Sequence, residues 1–234
     1  MSSITLPSKK NVADTGFPDH ASWLVFGAPK VGKTSFVQQW PDSLILNLEP
    51  GGCRYISDAY VLDIGSLNEL REAFAALSAQ KDKLPYKTIA IDTIDVVNDW
   101  AEEQARAELG IKEMGEGAYG ADWARSRTIT LNTIKTFAGL PVNLLVIAHS
   151  RWAIVNEVAV GHTIDLPGKL ARFSMAQIEN ILFITTDKTG ARRLVFQPTV
   201  GVEAGSRNPV LAQAGECEFS YKALRGLFEK KEGK

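Results

Sequence analysis

Short apolar segments alternate with amphipathic helical patterns along most of the chain. Strands that alternate with helices form a mostly parallel sheet covered on both faces. The pattern therefore predicts an α/β fold with a mostly parallel central sheet flanked by helices. After residue 148 the pattern predicts a hairpin or a long excursion over 152–164, and then a β-rich C-terminal part. The apolar runs that suit strands are 23–26, 44–48, 88–91, 142–148, 181–184 and 194–196, and hydrophobic residues recur at helical spacing over 67–80, 96–109 and 122–137.

The first apolar run leads into a glycine-rich loop with a complete phosphate-binding signature. Residues 27–34 read Gly-Ala-Pro-Lys-Val-Gly-Lys-Thr, between a predicted strand and a predicted helix start. Backbone N–H groups of such a loop, with the positive end of the helix dipole, form a nest for β- and γ-phosphate oxygens. Lys33 adds a charge on those oxygens, and Thr34 offers its hydroxyl to Mg²⁺. The predicted nucleotide contacts are Gly27, Ala28, Pro29, Lys30, Val31, Gly32, Lys33, Thr34 and Ser35.

Polar side chains at strand ends are candidates for the rest of this site. Asp92 ends an apolar run and can hold Mg²⁺ through water, because the carboxyl ends of parallel strands meet at one edge of the sheet. Many ATPases place a water-activating Glu directly after this Asp, but here the position is Thr93. Glu49 is therefore our candidate for orienting the attacking water, with Asp95 in reserve; a solvated strand-end acid is the other interpretation. His149 could hydrogen-bond the γ-phosphate and report its loss, although a local backbone bond would explain it equally well.

Length and charge narrow the class of protein. The 234 residues suit one domain, which we expect over 19–228 between a flexible arm at 1–18 and a flexible tail at 229–234. No apolar run approaches the about 20 residues that span a bilayer, so we expect no membrane contact and a cytoplasmic location. Cys53 and Cys217 show no metal-ligand spacing and suit free thiols. A net charge of −1 requires any nucleic-acid surface to be a local groove.

Together, the loop at 27–34, Glu49, Asp92-Thr93 and His149 resemble the RecA-type ATPase core. Further stretches resemble the short ATP-binding proteins of bacteriophages, some of which are similar to single-strand annealing recombinases. These stretches are Tyr119-Gly120, the strand ending at His149, Leu166-Pro-Gly-Lys169 and Gly205-Ser-Arg207. The resemblance covers residues 20 to 210. It implies a RecA-like P-loop NTPase that hydrolyses ATP with Mg²⁺, binds single-stranded DNA and acts in phage DNA recombination, strand annealing or replication in the bacterial host cell.

The resemblance also implies a ring or filament of identical subunits, with ATP between neighbours. A basic side chain of the neighbour would then complete the site in trans. Arg207, in a loop rich in small and polar residues, is our first candidate for this trans-acting arginine finger. Lys188 and Arg192 are the next candidates. An arginine exposed in a loop is the simpler interpretation.

Single-stranded DNA would contact the loops 110–120 and 151–172, and a single-strand DNA-binding protein is a further implied partner. Both loops combine cations with aromatic rings, which suits a groove that follows the DNA backbone and stacks bases. Acidic residues at 113, 116 and 157 dilute this charge. The candidate DNA contacts are Lys112, Tyr119, Arg151, Trp152, Lys169 and Arg172.

Other functions fit the same sequence. An ATPase that remodels or loads a protein partner could use the hairpin at 151–165 as its contact surface. A small-molecule kinase could use the same first hundred or so residues, although the 110–120 loop carries Lys112 as its only basic residue. If Glu49 does not orient water, the protein could instead be a nucleotide switch that does not hydrolyse ATP. Because the sequence contains no guanine-reading Asn-Lys-x-Asp pattern, ATP is the expected nucleotide.

Overall fold

The computed structural model describes residues 15–155, 157–199 and 201–229, with the side chain of Val155 left aside. Its strands are β1 (Ser22–Gly27), β2 (Ser43–Asn47), β3 (Tyr60–Asp63), β4 (Thr88–Asp92), β5 (Asn143–Val155), β6 (Val158–Ile164), β7 (Asn180–Thr186), β8 (Arg192–Val195), β9 (Gly205–Ser206) and β10 (Glu216–Glu218). Its α-helices are α1 (Lys33–Val37), α2 (Leu67–Ala79), α3 (Ile94–Leu109), α4 (Ala121–Ala138), α5 (Gly168–Gln177), α6 (Pro209–Ala214) and α7 (Tyr221–Glu229).

The central sheet has the order β10-β8-β7-β1-β5-β4-β2-β3. All pairs from β7 to β3 are parallel, whereas β8 pairs antiparallel with both β7 and β10. The predicted α/β fold with a mostly parallel central sheet and flanking helices is therefore confirmed. The carboxyl ends of β1, β2, β4 and β5 share one edge, because their registers align Gly27 with His149 and Asp92 with Asn47.

Two hydrophobic cores cover the two faces of the sheet. Side chains alternate along β1, which is buried throughout: Leu24 and Phe26 enter one core, and Trp23 and Val25 enter the other. The first core is closed by α2, α3, α4 and α5, and the second by α1, α6 and α7. Strands buried on both faces read as continuous apolar runs, which is why the sequence pattern located them.

The packed domain begins before residue 19. Phe17, which the sequence analysis assigns to a flexible arm, stacks on Trp23 at 5.9 Å and meets Phe228 edge-on at 5.2 Å. Its ring also lies 4.9 Å from the guanidinium of Arg225. The start and end of the described chain thus pack together in the second core. Residues 1–14 and 230–234 lie outside the described residues.

The second half of the chain combines a hairpin with further helices. Beyond the sheet edge β5 continues and pairs antiparallel with β6, so the hairpin interpretation of 152–164 holds. The C-terminal part contains β7, β8, β9 and β10 and also the helices α5, α6 and α7, for which no helical pattern was identified. Within the ranges described above, none of the helices has the length and hydropathy of a membrane span.

Candidate active site at the phosphate loop

The loop 27–34 lies at the carboxyl edge of the sheet, between β1 and α1. Gly27 has no room for a side chain, because a Cβ there would lie 2.9 Å from the carbonyl oxygen of Ile184 on the neighbouring strand. Gly32 has φ of 105°, a left-handed conformation that favours glycine, and it precedes the first residue of α1. The two glycines of the motif are thus required by close packing and by backbone conformation. This is the strand, loop and helix context that phosphate binding needs.

Lys33 points back over the loop. Its Nζ donates to the carbonyl oxygens of Gly27 at 3.2 Å and Ala28 at 3.1 Å, and the residue is 6% exposed. Burial lowers the pKa of the amine, and the charges of Asp92, Asp95 and Glu49 oppose that effect. An ammonium group that is buried at the loop is poorly hydrated, so pairing with phosphate oxygens would stabilise its charge strongly.

Thr34 and Asp92 are joined directly. Thr34 Oγ1 donates a hydrogen bond of 2.7 Å to Asp92 Oδ2. Burial raises the pKa of the Asp92 carboxyl, with the Thr34 hydrogen bond and Lys33 acting against it. A divalent cation next to this carboxylate would relieve the cost of burying its charge, so the residues fit the Mg²⁺ site predicted from the sequence. Thr34 and Asp92 are the residues that would hold the ion.

A second acidic group lies beside the loop. Asp95, in the first turn of α3, accepts hydrogen bonds from His149 at both the backbone nitrogen (3.1 Å) and Nδ1 (2.7 Å). The hydrogen bond to Asp95 raises the pKa of His149. Glu49 Oε1 lies 3.8 Å from the same Nδ1 and accepts a hydrogen bond of 3.0 Å from Thr93. Ligand atoms of Glu49, Asp95 and His149 lie within 4.8 Å of one another, close enough to share a metal ion.

These contacts separate the roles of the two acids. Asp95 is engaged with His149, both in the backbone and in the ring, and is suited to orienting the imidazole. The side chain of Glu49 is 40% exposed, so a water molecule can reach it. From the sequence alone, Asp95 was predicted only as the reserve candidate for orienting water. Its link to His149 needs the pairing of β4 with β5, and nothing in the linear sequence signals it.

One candidate for the trans-acting finger lies at the phosphate loop of its own chain. Arg192, a candidate ranked after Arg207, donates a hydrogen bond of 3.3 Å from its Nη1 to the carbonyl oxygen of Val31. The reason is that β8 runs antiparallel to β7 and therefore starts at the carboxyl edge of the sheet. Lys188 lies in the turn between these strands. The linear sequence does not indicate this placement, because it depends on the antiparallel pairing of β7 with β8.

Arg207 lies at the opposite edge. It follows β9, whose Ser206 pairs with Asn180 at the start of β7. Its Nη2 donates to the carbonyl oxygen of Ala176 at 2.7 Å. Arg207 therefore cannot contact the phosphate loop of its own chain, and a role at a neighbour's site stays a prediction.

The candidate DNA contacts fall into separate groups. Lys169 and Arg172 are exposed on α5, and Tyr119 is fully exposed with φ of 55° in the loop before α4. Arg151 is instead tied to the segment before α5, with bonds to the carbonyl oxygens of Ile164 (3.4 Å) and Leu166 (3.1 Å). Trp152 packs against His162 in the hairpin, with the two rings tilted by 35° and their centroids 4.1 Å apart. Lys112 is exposed, and its backbone nitrogen donates to the Glu116 carboxylate.

The two cysteines differ in their surroundings: the charges of Asp92 and Glu49 add to the effect of burial on the pKa of Cys53 but not on that of Cys217. Cys53 and Cys217 are buried and free, as expected from their spacing. Burial raises the pKa of each thiol to about 12, so both stay protonated and unreactive near neutral pH.

Comparison with known proteins identifies the family of the chain. A family model described as an AAA domain matches residues 19–208, which is most of the chain. No curated protein sequence matches the chain. Among solved structures, the chain is similar to the KaiC-like protein PH0186 from the hyperthermophilic archaeon Pyrococcus horikoshii OT3. The identity is 15%, the match covers 77% of this chain and 79% of that one, and the TM-score is 0.44. Because the AAA domain model matches most of the chain and the phosphate loop is complete, the chain belongs to the AAA domain family and is a P-loop NTPase.

Proposed function

We propose that this protein is a Mg²⁺-dependent ATPase of RecA type that binds single-stranded DNA and acts in DNA recombination, strand annealing or replication. The observation that carries the DNA part is a surface of basic and aromatic side chains on α4 and α5. We call it the α4–α5 surface; its residues are Trp123, Arg127, Lys169, Arg172 and Phe173.

The catalytic part rests on the strand ends around the loop. The loop and Lys33 would bind the β- and γ-phosphates, while Thr34 and Asp92 would hold Mg²⁺, which neutralises charge on the phosphate oxygens. Glu49 would accept a hydrogen bond from the attacking water and orient it in line with the γ-phosphate. His149, fixed by Asp95, would donate to a γ-phosphate oxygen. Every one of these groups lies at the same edge of the sheet.

The α4–α5 surface has the composition of a single-strand binding groove. The guanidinium groups of Arg172 and Arg127 lie 5.3 Å and 5.9 Å from the ring centre of Phe173, which is 40% exposed. Trp123, 39% exposed, shares a cavity of about 180 Å³ with Arg127 and Lys169. Rings stack bases and arginines contact phosphates, without sequence preference. Lys169 and Arg172 are predicted as DNA contacts from the sequence; Trp123, Arg127 and Phe173 join them only through the packing of α4 on α5.

A short path connects this surface to the nucleotide site. The carbonyl oxygen of His149 accepts a hydrogen bond of 2.8 Å from Asp165 N, just before α5. Two residues beyond His149, Arg151 bonds the carbonyl oxygen of Leu166 and lies 3.6 Å from Asp165. A movement of His149 on loss of the γ-phosphate would therefore shift the start of α5. This contact supports coupling of hydrolysis to DNA binding.

We further propose that the chain assembles with copies of itself as a ring or filament. Arg207 is exposed at the edge of the sheet opposite the phosphate loop, where it could contact a neighbour's nucleotide. Light scattering with ATP and Mg²⁺ tests the assembly, and Arg207→Ala should slow hydrolysis without weakening ATP binding. A monomeric mass under these conditions would contradict the finger role.

A specific observation also favours a second function, remodelling or loading of a protein partner. The hairpin β5–β6 exposes the apolar side chains of Trp152, Ile154, Val158 and Val160. Exposed apolar groups that cluster on one hairpin suit a protein contact. Under this alternative the hairpin binds a protein and the α4–α5 surface binds nothing.

Fluorescence anisotropy of a labelled single-stranded oligonucleotide tests the DNA proposal. We expect wild-type protein with ATP to bind it, with an affinity that falls as salt rises. Arg172→Ala with Phe173→Ala should weaken binding strongly. Lys135→Ala, a basic residue exposed at the other end of α4, is the matched control and should bind normally. Absent or salt-insensitive binding, or equal binding by both variants, would contradict the proposal.

A further inference from the structure

A stacked pair of side chains lies directly beside the phosphate loop and has no role in the proposed catalysis. The guanidinium of Arg192 lies 4.2 Å from the ring centre of Phe219. Both groups touch Gly32: a Cβ there would collide with Arg192 Nη1 and would lie 3.3 Å from Phe219 Cζ. Gly32 thus leaves room for these two side chains to approach the loop.

Phe219 anchors this pair in the protein, whereas the Arg192 side of the pair is exposed. Phe219 is partly buried in the second core and packs against Phe36 of α1 at 5.6 Å. The hydrogen bond from Arg192 to Val31 O fixes the guanidinium at the loop. Arg192 is nevertheless exposed. A planar cation that has one face on a ring and remains exposed can receive a second planar group.

The positions of the site residues determine the direction in which a bound nucleotide extends from the loop. Lys33 and Thr34 face Asp92, and Glu49 and His149 lie beyond them, so the terminal phosphate must point toward β5 and β4. The remainder of a nucleoside triphosphate then extends to the other side of β1. In the sheet order that side is β7 and β8, where Arg192 lies.

We infer that Arg192 and Phe219 form a platform on which the base of the bound nucleoside triphosphate stacks, in the sequence base, guanidinium, phenyl ring. The inference rests on the proposed nucleotide binding at the phosphate loop and adds the subsite for the base. Stacking on an arginine plane does not read the hydrogen-bonding edge of a base, so the platform contributes affinity more than choice of base.

Calorimetric titration with two ligands, Mg²⁺-ATP and Mg²⁺-tripolyphosphate, separates the base from the phosphates. Arg192→Lys keeps the positive charge but removes the plane, and Phe219→Leu keeps an apolar side chain but removes the ring. We expect each to weaken ATP binding about tenfold, a typical loss for one stacked base, with tripolyphosphate binding unchanged. Arg193→Lys is the matched control, since Arg193 on the opposite face of β8 pairs with Glu216 at 2.6 Å, and it should bind both ligands normally.

The outcomes separate this inference from the proposed function. An equal loss of ATP and tripolyphosphate affinity in Arg192→Lys would overturn the platform, because the guanidinium would then be bonding phosphate. Unchanged affinity for both ligands would also overturn it. Failure of the wild-type protein to bind either ligand, or normal ATP binding by Lys33→Ala, would instead overturn nucleotide binding at the loop itself.

Discussion

Replacing Thr34 by Val tests the contact at the centre of the predicted metal site. Valine has nearly the same shape as threonine but lacks the hydroxyl that donates to Asp92 Oδ2 at 2.7 Å. The partner carboxylate is 5% exposed, so water replaces this bond poorly. A hydrogen bond to a charged group is worth about 1.5–3 kcal/mol, and we expect the free energy of unfolding to fall by that amount. In a chain of this size the melting temperature would fall by about 3–12 °C.

Urea unfolding of the nucleotide-free protein measures this loss. Thr34→Ser keeps the hydroxyl and is the matched control, which should retain most of the stability. A double-mutant cycle of Thr34→Val with Asp92→Asn should show a coupling energy of about 1 kcal/mol or more, because Asn accepts only a neutral hydrogen bond. Thr34→Val should also require more Mg²⁺ for ATP binding. Equal unfolding midpoints for wild type, Thr34→Val and Thr34→Ser would refute the reasoning.

The remaining predictions concern the loop and the strand-end residues. Lys33→Ala should abolish nucleotide binding or turnover in a filter-binding and phosphate-release assay, and unchanged hydrolysis would contradict the assigned site. Glu49→Gln should bind ATP normally yet hydrolyse it at least about a hundredfold more slowly; full activity would transfer the water-orienting role to Asp95 or another acid. The hydrogen bond to Asp95 raises the pKa of His149, so the interaction of protonated His149 with the Asp95 carboxylate stabilises the fold. This contribution is complete below the unfolded pKa of about 6.5 and is lost as pH rises through the folded pKa, so wild type should exceed His149→Asn in unfolding free energy by more at about pH 5.5 than at about pH 8.5. A difference that is constant or grows with pH would refute this assignment.

The parallel strands and the strand-end site could be predicted because both follow from short-range patterns. Strands buried on both faces must be continuously apolar, and parallel strands bring their carboxyl ends to one edge. Glu49, Asp92 and His149 therefore converge as expected. The strand β3 was missed because it is short and its residues are exposed at the sheet edge. Helix α5 was missed because Pro167 precedes it without a side-chain cap.

Contacts between distant parts of the chain could not be predicted from the pattern. The pair of Asp95 with His149 spans 54 residues and depends on the adjacency of β4 and β5. Phe219 meets Arg192 and Gly32 only because the C-terminal strand β10 returns beside β8. Phe17 was assigned to a polar arm because the residues around it in the sequence are polar. Its contact with Phe228, at the other end of the described chain, does not show in the local pattern. Tertiary packing decides each of these positions, and local propensity carries no information about them.

Steady-state ATP hydrolysis with Mg²⁺, with and without a single-stranded oligonucleotide and at low and moderate salt, tests the central claim most directly. A DNA-coupled ATPase should hydrolyse ATP faster with the oligonucleotide, and the stimulation should weaken as salt rises and disappear in the variant Arg172→Ala with Phe173→Ala. Hydrolysis that is indifferent to DNA at every salt concentration would contradict the claim and would favour a protein partner at the β5–β6 hairpin.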